Sequence, residues 1–354
     1  NLSNTPGRSS MATQTRNPLT GDLFVVWTDE DSGGRNEIMS RRWEGATRSW
    51  FPGLSLAADN LSQSRWEDAG PLVFFDSQGQ GILVWTRRYL ASDGAPAERT
   101  EVLWRAWQGA VWSGEAVLMH VDTYLPGSYG LLPVETPGGI LLFITFDNGY
   151  RTTTFQGGAW SPVSAPLYLV FPDGTRPILA QILRDDEGLF HAAAYGQNSL
   201  QAGLNIWFHD AYYLTYDGST WTPPVNLSYT DGVADGIGLE FDHHGNLHFL
   251  WSDPDSVYST ESLKSAIWER VYDGVSWTSN AEVTTYNPNQ AIDGFSLTTD
   301  STGALHLAWS EGLLVNNAHT DLDIYYRTGR GLTWDAEESV HTSSDPSRYP
   351  VLVA

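Results

Sequence analysis

Residues 242–253 read DHHGNLHFLWSD and residues 300–311 read DSTGALHLAWSE, and these two segments decide the fold. Both place an Asp three residues before a Gly and end in Trp, Ser and an acid. The first part predicts a tight turn, because Asp accepts hydrogen bonds from nearby backbone and Gly tolerates positive φ. The apolar run that ends in Trp predicts a buried strand.

Four weaker copies of this turn and strand precede the two best ones, so the segment is one unit of a repeat. The closing aromatics, at positions 27, 85, 146, 195, 251 and 309, are 49 to 61 residues apart. A second motif follows each copy: an aromatic strand, a Gly turn and a Trp. These motifs end at Trp50, Trp112, Trp160, Trp221, Trp277 and Trp334. Each repeat therefore predicts four antiparallel strands joined by short turns.

The repeat predicts an all-β fold, a β-propeller of four-stranded antiparallel blades within one domain, residues 1–354. Neighbouring blades cover each other's faces, which accounts for near-continuous apolar strands. Six blades are recognisable, over approximately residues 1–61, 62–125, 126–170, 171–233, 234–290 and 291–344. Residues 345–354 are predicted to form the inner strand of a further or closing blade. A ring of seven or more blades, partly outside this chain, is the alternative.

Composition excludes several classes of function. The chain has 42 acidic and 19 basic residues, a net charge of −23 that repels nucleic acid and anionic lipid. It has no cysteine, which excludes disulfides, thiolate metal sites and cysteine nucleophiles. No apolar run approaches the ~18 residues that a membrane-spanning helix needs. We therefore expect no nucleic-acid partner and no membrane insertion within this chain.

Residues 327–334, RTGRGLTW, partly match the Asp-box S-x-D-x-G-x-T-W of the sialidase-like superfamily, with Arg327 and Gly329 at the Ser and Asp positions. The chain as a whole resembles the Asp-box-type (BNR-type) propeller repeats of bacterial and archaeal cell-surface proteins. This resemblance implies an extracellular or cell-surface location and a place in a longer polypeptide. It also implies a glycan or a cell-surface protein as the partner.

The predicted topology gives each blade two different ends. The Asp turns and the Gly-x-Trp turns share one end, and loops predicted at 87–101, 197–212, 253–264 and 311–321 share the other. Long loops in a compact domain are commonly binding elements, so we expect a ligand at the long-loop end, between the second, fifth and sixth blades. The predicted ligand-binding residues are Arg65, Asp68, Arg87, Arg88, Asp147, Arg151, Trp207, Asp253, Asp255 and Glu311.

Two classes of function fit these residues. The resemblance implies that a catalytic member would need an arginine cluster, a Tyr nucleophile beside a Glu and an Asp acid/base. The sequence does not display that constellation. We therefore expect a non-catalytic extracellular recognition or scaffold module without a cofactor. A glycan-cleaving enzyme of sialidase-like type, either hydrolase or lyase, is the alternative.

Metal binding is the remaining question for the sequence. His191, His248 and His306 occupy one repeat position in three blades, and such positions lie too far apart in a ring to share an ion. They predict a repeated structural hydrogen bond. Asp29 and Asp31 space their oxygens as a structural calcium site needs, although no Glu follows at the offset of a bidentate ligand. A plain acidic turn is the alternative there.

Overall fold

The computed structural model describes the chain apart from residues 1, 4–7, 31–33, 91–93, 96–97, 122–129, 147–148, 170–176, 201–206, 230–233, 255–264, 286–289, 316–317, 343–346, 348–349 and 354. The described residues form strands, turns and loops, so they include no helix that could span a membrane. The chain divides into two compact units, Asn1–Leu167 and Tyr168–Ala354, with three sheets in each.

The first unit holds the first, second and third blades. The first blade consists of β1 (Ser9–Arg16), β2 (Leu23–Glu30), β3 (Asn36–Glu44) and β4 (Ser49–Phe51), with β5 (Asp59–Asn60) also paired to β3. The second consists of β6 (Glu67–Phe75), β7 (Gly81–Tyr89), β8 (Arg99–Ala106) and β9 (Ala116–Val121). The third consists of β10 (Leu131–Thr136), β11 (Gly139–Phe146), β12 (Gly149–Gln156) and β13 (Ala159–Trp160).

The second unit holds the fourth, fifth and sixth blades. The fourth consists of β14 (Ile178–Arg184), β15 (Phe190–Leu200), β16 (Trp207–Tyr216) and β17 (Val225–Asn226). The fifth consists of β18 (Asp235–Phe241), β19 (Leu247–Pro254), β20 (Ser265–Tyr272) and β21 (Ala281–Glu282). The sixth consists of β22 (Gln290–Thr299), β23 (Leu305–Val315), β24 (Ala318–Arg330) and β25 (Thr333–Trp334), with β26 (Glu338–His341) paired to β24.

All six sheets share one antiparallel path of four strands in chain order. This is the all-β propeller class, with six four-stranded blades, that the repeat predicts. The exact blade limits and the single ring stay predictions, as does the role of residues 345–354. Near that end, the backbone N–H of Leu352 donates to the Ser296 hydroxyl of β22 at 3.0 Å.

The core lies along the second strands of the blades. Trp85, Trp251 and Trp309, which lie within three of these strands, are fully buried. The strand β7 is buried along almost its whole length, because the first blade covers one of its faces and the third blade the other. Apolar residues therefore occur on both faces of this strand, where a half-buried strand would alternate.

The Asp turns between first and second strands repeat one set of hydrogen bonds. In the fifth blade, Asp242 Oδ1 accepts from the backbone N–H groups of His244 and Asn246 at 2.8 and 2.9 Å. Asp76 and Asp300 make the equivalent bonds in the second and sixth blades. The Asp is required because its carboxylate satisfies donors that the strand ladder leaves unpaired.

The repeated histidines connect each Asp turn to the third strand. His191 lies 3.0 Å from Asp185 and 2.7 Å from the Tyr213 hydroxyl. His306 contacts the turn residue Asp300 at 3.1 Å and also bonds to a tyrosine hydroxyl, that of Tyr326. His248 makes the corresponding contacts in the fifth blade. The predicted structural hydrogen bond is therefore confirmed in all three blades.

The tryptophans of the Gly-x-Trp motifs pack between blades. Trp277 of the fifth blade contacts Tyr213 of the fourth, with ring centroids 4.9 Å apart. Trp160 of the third blade packs on Trp104 of the second in the same way, at 5.8 Å. At these positions the indole is therefore wedged between two neighbouring blades. Trp221 instead stacks on Tyr216 of its own blade at 4.9 Å.

The sixth blade shows that the two ends of a blade are distinct. Trp334 pairs with Gly329, which pairs with Leu305 at the start of β23. Glu311 lies six residues further along the same strand, a separation of about 20 Å at the usual rise per residue. In this blade, the predicted separation of the Gly-x-Trp turn from the long-loop end is confirmed. We call the two ends the turn end and the loop end.

The predicted extent of the long loops is largely wrong. The segment predicted as a loop at 311–321 continues the hairpin, because β23 runs to Val315 and β24 begins at Ala318. The segment at 197–212 is likewise mostly strand. Polar and glycine residues in these segments suggested loops, but continued backbone pairing extends the hairpins beyond the core. Residues 255–264 of the predicted loop at 253–264 lie outside the described residues.

Candidate functional site

The loop end of the second blade brings together four of the predicted ligand-binding residues. Arg87 and Arg88 lie near the end of the strand β7, and Asp68 stands opposite Arg87 in the register with β6. Arg65 precedes β6 and is exposed. The register itself places these charges together, since the first strand enters the blade where the second strand ends.

Arg87 is the centre of a buried ion network. Its Nε donates to Asp68 Oδ1 at 2.8 Å, and its terminal nitrogens donate to the two Glu115 carboxylate oxygens at 2.7 and 2.9 Å. Asp68 is fully buried and also accepts from the indole of Trp85 at 3.0 Å and the hydroxyl of Ser64 at 2.6 Å. Burial lowers the pKa of Arg87, but the bonds to Glu115 and Asp68 raise it more. Arg87 is therefore a fixed cation that braces this end of the blade.

A stack of aromatic rings and guanidinium groups lies beside this network. Arg65 lies 4.4 Å from the ring centroid of Trp66, whose ring lies 4.9 Å from that of Tyr89. Arg99 lies 4.1 Å from the Tyr89 centroid on the register-paired strand β8. We call Arg65, Trp66, Tyr89 and Arg99 the rim stack. Cation–π contacts of this kind hold the rings and guanidinium groups in fixed positions.

Glu101 ties the lower part of the rim stack together. Its carboxylate accepts from the Tyr89 hydroxyl at 2.6 Å and from Arg99 Nε at 3.2 Å. Burial raises the pKa of Tyr89, and the hydrogen bond to Glu101 raises it further. The Tyr89 phenol is thus held protonated with its proton directed at a carboxylate. This arrangement can fix a binding surface, and in an open site it could also transfer a proton.

The remaining predicted site residues are not assembled into one centre by the described structure. Glu311 is buried and accepts from the Trp309 indole at 2.9 Å, and burial raises its pKa. Arg151 donates to the Ser164 carbonyl at 3.1 Å. Trp207 and Asp253 lie on β16 and β19. Asp147 and Asp255 lie outside the described residues, so the ligand-binding role of the set stays a prediction.

The predicted calcium site is half described. Asp29 is buried near the end of β2 and accepts a hydrogen bond from the Ser9 hydroxyl at 2.8 Å. Asp31, its predicted companion ligand, lies outside the described residues. Within the part of the chain that the structure describes, no group of three or more His, Asp or Glu side chains could hold a metal ion. Calcium at Asp29 and Asp31 therefore stays a prediction.

Sequence reasoning missed Tyr89, Arg99 and Glu101. It assigned them to a loop at 87–101, whereas β7 continues to Tyr89 and β8 begins at Arg99. A hairpin register extended by two pairs beyond Arg87 and Glu101 would have placed Tyr89 opposite Arg99. The opposite charges of Arg87 and Glu101, which this register pairs, were the signal that could have shown this.

Comparisons with known proteins agree with the fold. No family model matches the chain, and no curated protein matches its sequence. A solved protein of unknown function from Dyadobacter fermentans is 11% identical with a TM-score of 0.53, over 88% of this chain and 92% of that one. An ulvan lyase of polysaccharide lyase family PL25, bound to a glucuronate–sulfated rhamnose unit, is also 11% identical with a TM-score of 0.53, over 89% and 78%.

An α-L-arabinanase from Penicillium chrysogenum, complexed with arabinobiose, is 12% identical with a TM-score of 0.52, over 90% of this chain and 93% of that one. Sialidases are also among the matched structures. The propeller fold predicted from the repeats is confirmed by the matched structures whose TM-scores exceed 0.5. The Asp-box itself stays a prediction. Identities of this size establish a shared fold and do not transfer an activity.

Proposed function

We propose that this protein is a non-catalytic recognition module that binds a glycan at the loop end of its second blade, through the rim stack. The rim stack is the observation that carries the proposal. Aromatic rings with guanidinium groups stacked over them offer both an apolar contact and directed hydrogen bonds, as polar ligands with apolar faces require. The glycan-acting proteins among the structural neighbours support the choice of ligand by analogy of fold only.

Charge refines the ligand class. Arg65 is exposed, and no hydrogen bond or ion pair to its guanidinium occurs within the described residues. Arg35, also exposed, donates to the Arg65 backbone carbonyl at 3.3 Å and brings a second cation nearby. In a protein of net charge −23, such a local cationic site favours a carboxylate or sulfate group on a sugar. A glycan with scattered acidic residues therefore fits better than a uniformly anionic polymer.

The loop end of this blade favours binding over catalysis, because its central charged side chains are already paired with other protein side chains. Asp68, Arg87 and Glu115 satisfy one another inside the blade. The Tyr89 ring is only 8% exposed beneath its stacking partners. A substrate would reach the phenol only if Trp66 or Arg99 moved aside. We therefore also propose the extracellular or cell-surface setting that a glycan partner implies.

One observation favours the enzyme alternative. The Tyr89 hydroxyl and the Glu101 carboxylate form a hydrogen-bonded pair with two arginines nearby. Glu101 could accept the phenolic proton as Tyr89 attacked an anomeric carbon, while the glycosidic C–O bond broke and water protonated the departing oxygen. A second water would then hydrolyse the glycosyl–tyrosine bond and release the sugar. This second candidate predicts turnover that disappears in both Tyr89→Phe and Glu101→Gln. A panel of fluorogenic glycosides and an assay for unsaturated lyase products would detect it.

The proposed binding function is tested with a glycan array followed by titration of the best ligand. Trp66→Ala should weaken binding by about tenfold or more, since it removes the ring at the middle of the stack. Trp43→Ala, a tryptophan at the turn end of the first blade, is the matched control and should leave affinity unchanged. An array without ligands, or equal loss in both variants, would refute the rim stack as the site. Turnover that is lost in Tyr89→Phe would favour the enzyme alternative over the binding function.

A further inference from the structure

A second concave site lies on the flank of the first unit, between the first and second blades. It is a cavity of about 260 Å³ that opens toward the turn end, away from the rim stack. Its walls include the aromatic residues Phe24, Phe51, Trp107 and Trp112. Phe51 and Val111 at its edge are 55% and 61% exposed, so the opening is apolar and accessible. We call this space the flank cavity.

The flank cavity exists because the first blade departs from the repeat at two positions. Phe24 occupies the place that His248 holds in the fifth blade, and Ser40 occupies the place of Glu269, as the strand registers show. In the fifth blade the His and Glu side chains bond to each other. The small Ser40 side chain cannot reach across in this way, which leaves room beside Phe24.

Two side chains that can hydrogen-bond line this space and are not engaged in hydrogen bonds within the described residues. The Asp59 carboxylate and the Ser40 hydroxyl both line the cavity, and neither makes a side-chain hydrogen bond within the described residues. They are adjacent, since Ser40 and Asp59 form a register pair between β3 and β5. Desolvation raises the pKa of Asp59, against the opposing effects of Arg41 and Arg42. A carboxylate and a hydroxyl at this spacing can accept from and donate to two ligand hydroxyls.

The charges around the cavity balance, which selects against an ionic ligand. Arg41 donates to the carbonyls of Leu2, Pro52, Gly53 and Leu56. Arg105 donates to the carbonyls of Ser113 and Leu61, and Arg42 pairs with Glu44 and lies 3.8 Å from Asp22. Three guanidinium groups thus stand against the carboxylates of Asp22, Glu44 and Asp59. A ligand of either charge would disturb this balance.

We infer that the flank cavity binds a single ring of a neutral saccharide, with Asp59 and Ser40 on its hydroxyls and the aromatic wall on its C–H face. The volume is smaller than that of typical drug-sized pockets and suits one sugar ring. The aromatic wall supplies apolar contact. The Asp59 carboxylate and the Ser40 hydroxyl supply directed hydrogen bonds. This site is separate from the rim stack and does not depend on the proposed function, so the protein would hold a glycan at two places.

The inference is tested by titrating the full chain with cellobiose, xylobiose and arabinobiose, followed by tryptophan fluorescence and ligand-observed NMR. Glucuronate and choline serve as charged comparison probes. We expect a neutral sugar to bind, and Asp59→Ala to weaken it about tenfold or more because a charge-assisted hydrogen bond is lost. Val111→Trp, which blocks the opening from an exposed position, should have a similar effect. Trp66→Ala should leave this binding unchanged.

The variants also separate the two sites. Binding lost in Asp59→Ala and kept in Trp66→Ala supports the flank cavity, whatever happens at the rim stack. Failure of all neutral probes to bind overturns the inference, as does binding of glucuronate or choline in preference to them. Neutral binding that both Asp59→Ala and Val111→Trp leave intact overturns it too, because the sugar would then lie elsewhere.

Discussion

One position of the repeat differs systematically between the two units of the molecule. At the second residue of the second strand in each blade, the first unit has apolar side chains and the second has imidazoles. The residues are Phe24, Ile82 and Ile140 in the first unit and His191, His248 and His306 in the second. At this position of the same strand pairing, the side chains therefore pack by apolar contact in one unit and form hydrogen bonds in the other.

The facing residues on the third strand change together with this position. They are Ser40, Trp104 and Thr153 in the first unit and Tyr213, Glu269 and Tyr326 in the second. Each imidazole has a hydroxyl or carboxylate within hydrogen-bonding distance. The comparison teaches that a buried polar residue is tolerated here only when its partner occurs at the matching position of the next strand. Where the second-strand residue is apolar, as in the first unit, this residue contributes apolar contact alone.

The largest expected effect comes from the packing that both units share. Trp277→Ala should reduce the free energy of unfolding by about 3 to 5 kcal/mol, because the indole packs against Tyr213 of the preceding blade and against Phe249. Urea denaturation followed by circular dichroism measures this loss. Trp221→Ala, which stacks on Tyr216 of its own blade, is the matched control with a smaller expected loss. A loss below about 1 kcal/mol for Trp277→Ala would contradict the wedge between blades.

The next effect concerns the fully buried imidazole. His248 lies 2.7 Å from Glu269 and 3.5 Å from Asp242, and all three side chains are buried. His248→Phe gives the fifth blade the residue type of the first, but leaves Glu269 with fewer donors. We expect a loss of about 2 to 4 kcal/mol in the free energy of unfolding at neutral pH.

His306→Phe is the control for this substitution. His306 and Asp300 are partly exposed, so water can replace the lost hydrogen bonds and the loss should be about 1 kcal/mol or less. Equal losses in the two variants would mean that burial does not distinguish the fifth blade from the sixth. A stable His248→Phe protein would mean that Trp334, which also donates to Glu269, satisfies that carboxylate without the imidazole.

Most of the fold could be predicted from the sequence, because its signals are local. The turn Gly, the apolar second strand and the following Trp lie close together in the chain and occur six times, and four of the turns also carry an Asp. The hairpin lengths could not be predicted in this way. Residues 311–315 and 318–321 continue as strand through backbone pairing, which the side chains of this segment do not reveal.

The candidate sites were less predictable, for two physical reasons. Arg87 and Asp68 look like free charges in the sequence, but the register turns them toward each other inside the blade. Asp59 and Trp107 are distant in sequence and meet only through packing of the first blade on the second. Features that repeat are therefore visible in the sequence, whereas a site made by one departure from the repeat requires the structure.

The smallest of these effects is a pH dependence confined to the second unit. Glu240 stands opposite His248 in the register, where the second blade has the apolar Phe74 opposite Ile82. Burial raises the pKa of Glu240 to about 7, from an ordinary value of 4.5. Between those pH values, the folded protein therefore holds the Glu240 proton more tightly than the unfolded chain does. The stabilisation from this bound proton is complete below pH 4.5 and is lost as the pH rises through 7.

Glu240→Gln should remove this pH dependence, because the amide stays neutral in both states. Between pH 4.5 and 7.5, the wild type should lose about 1 to 3 kcal/mol of unfolding free energy relative to Glu240→Gln. The loss stays within this range because Glu240 is partly exposed and solvent screens its charge. Urea denaturation of both proteins at intervals across this range measures the difference, and other titrating groups cancel in the subtraction. A difference that stays flat across the range would show that the Glu240 carboxylate ionises in the folded protein as easily as in the unfolded chain.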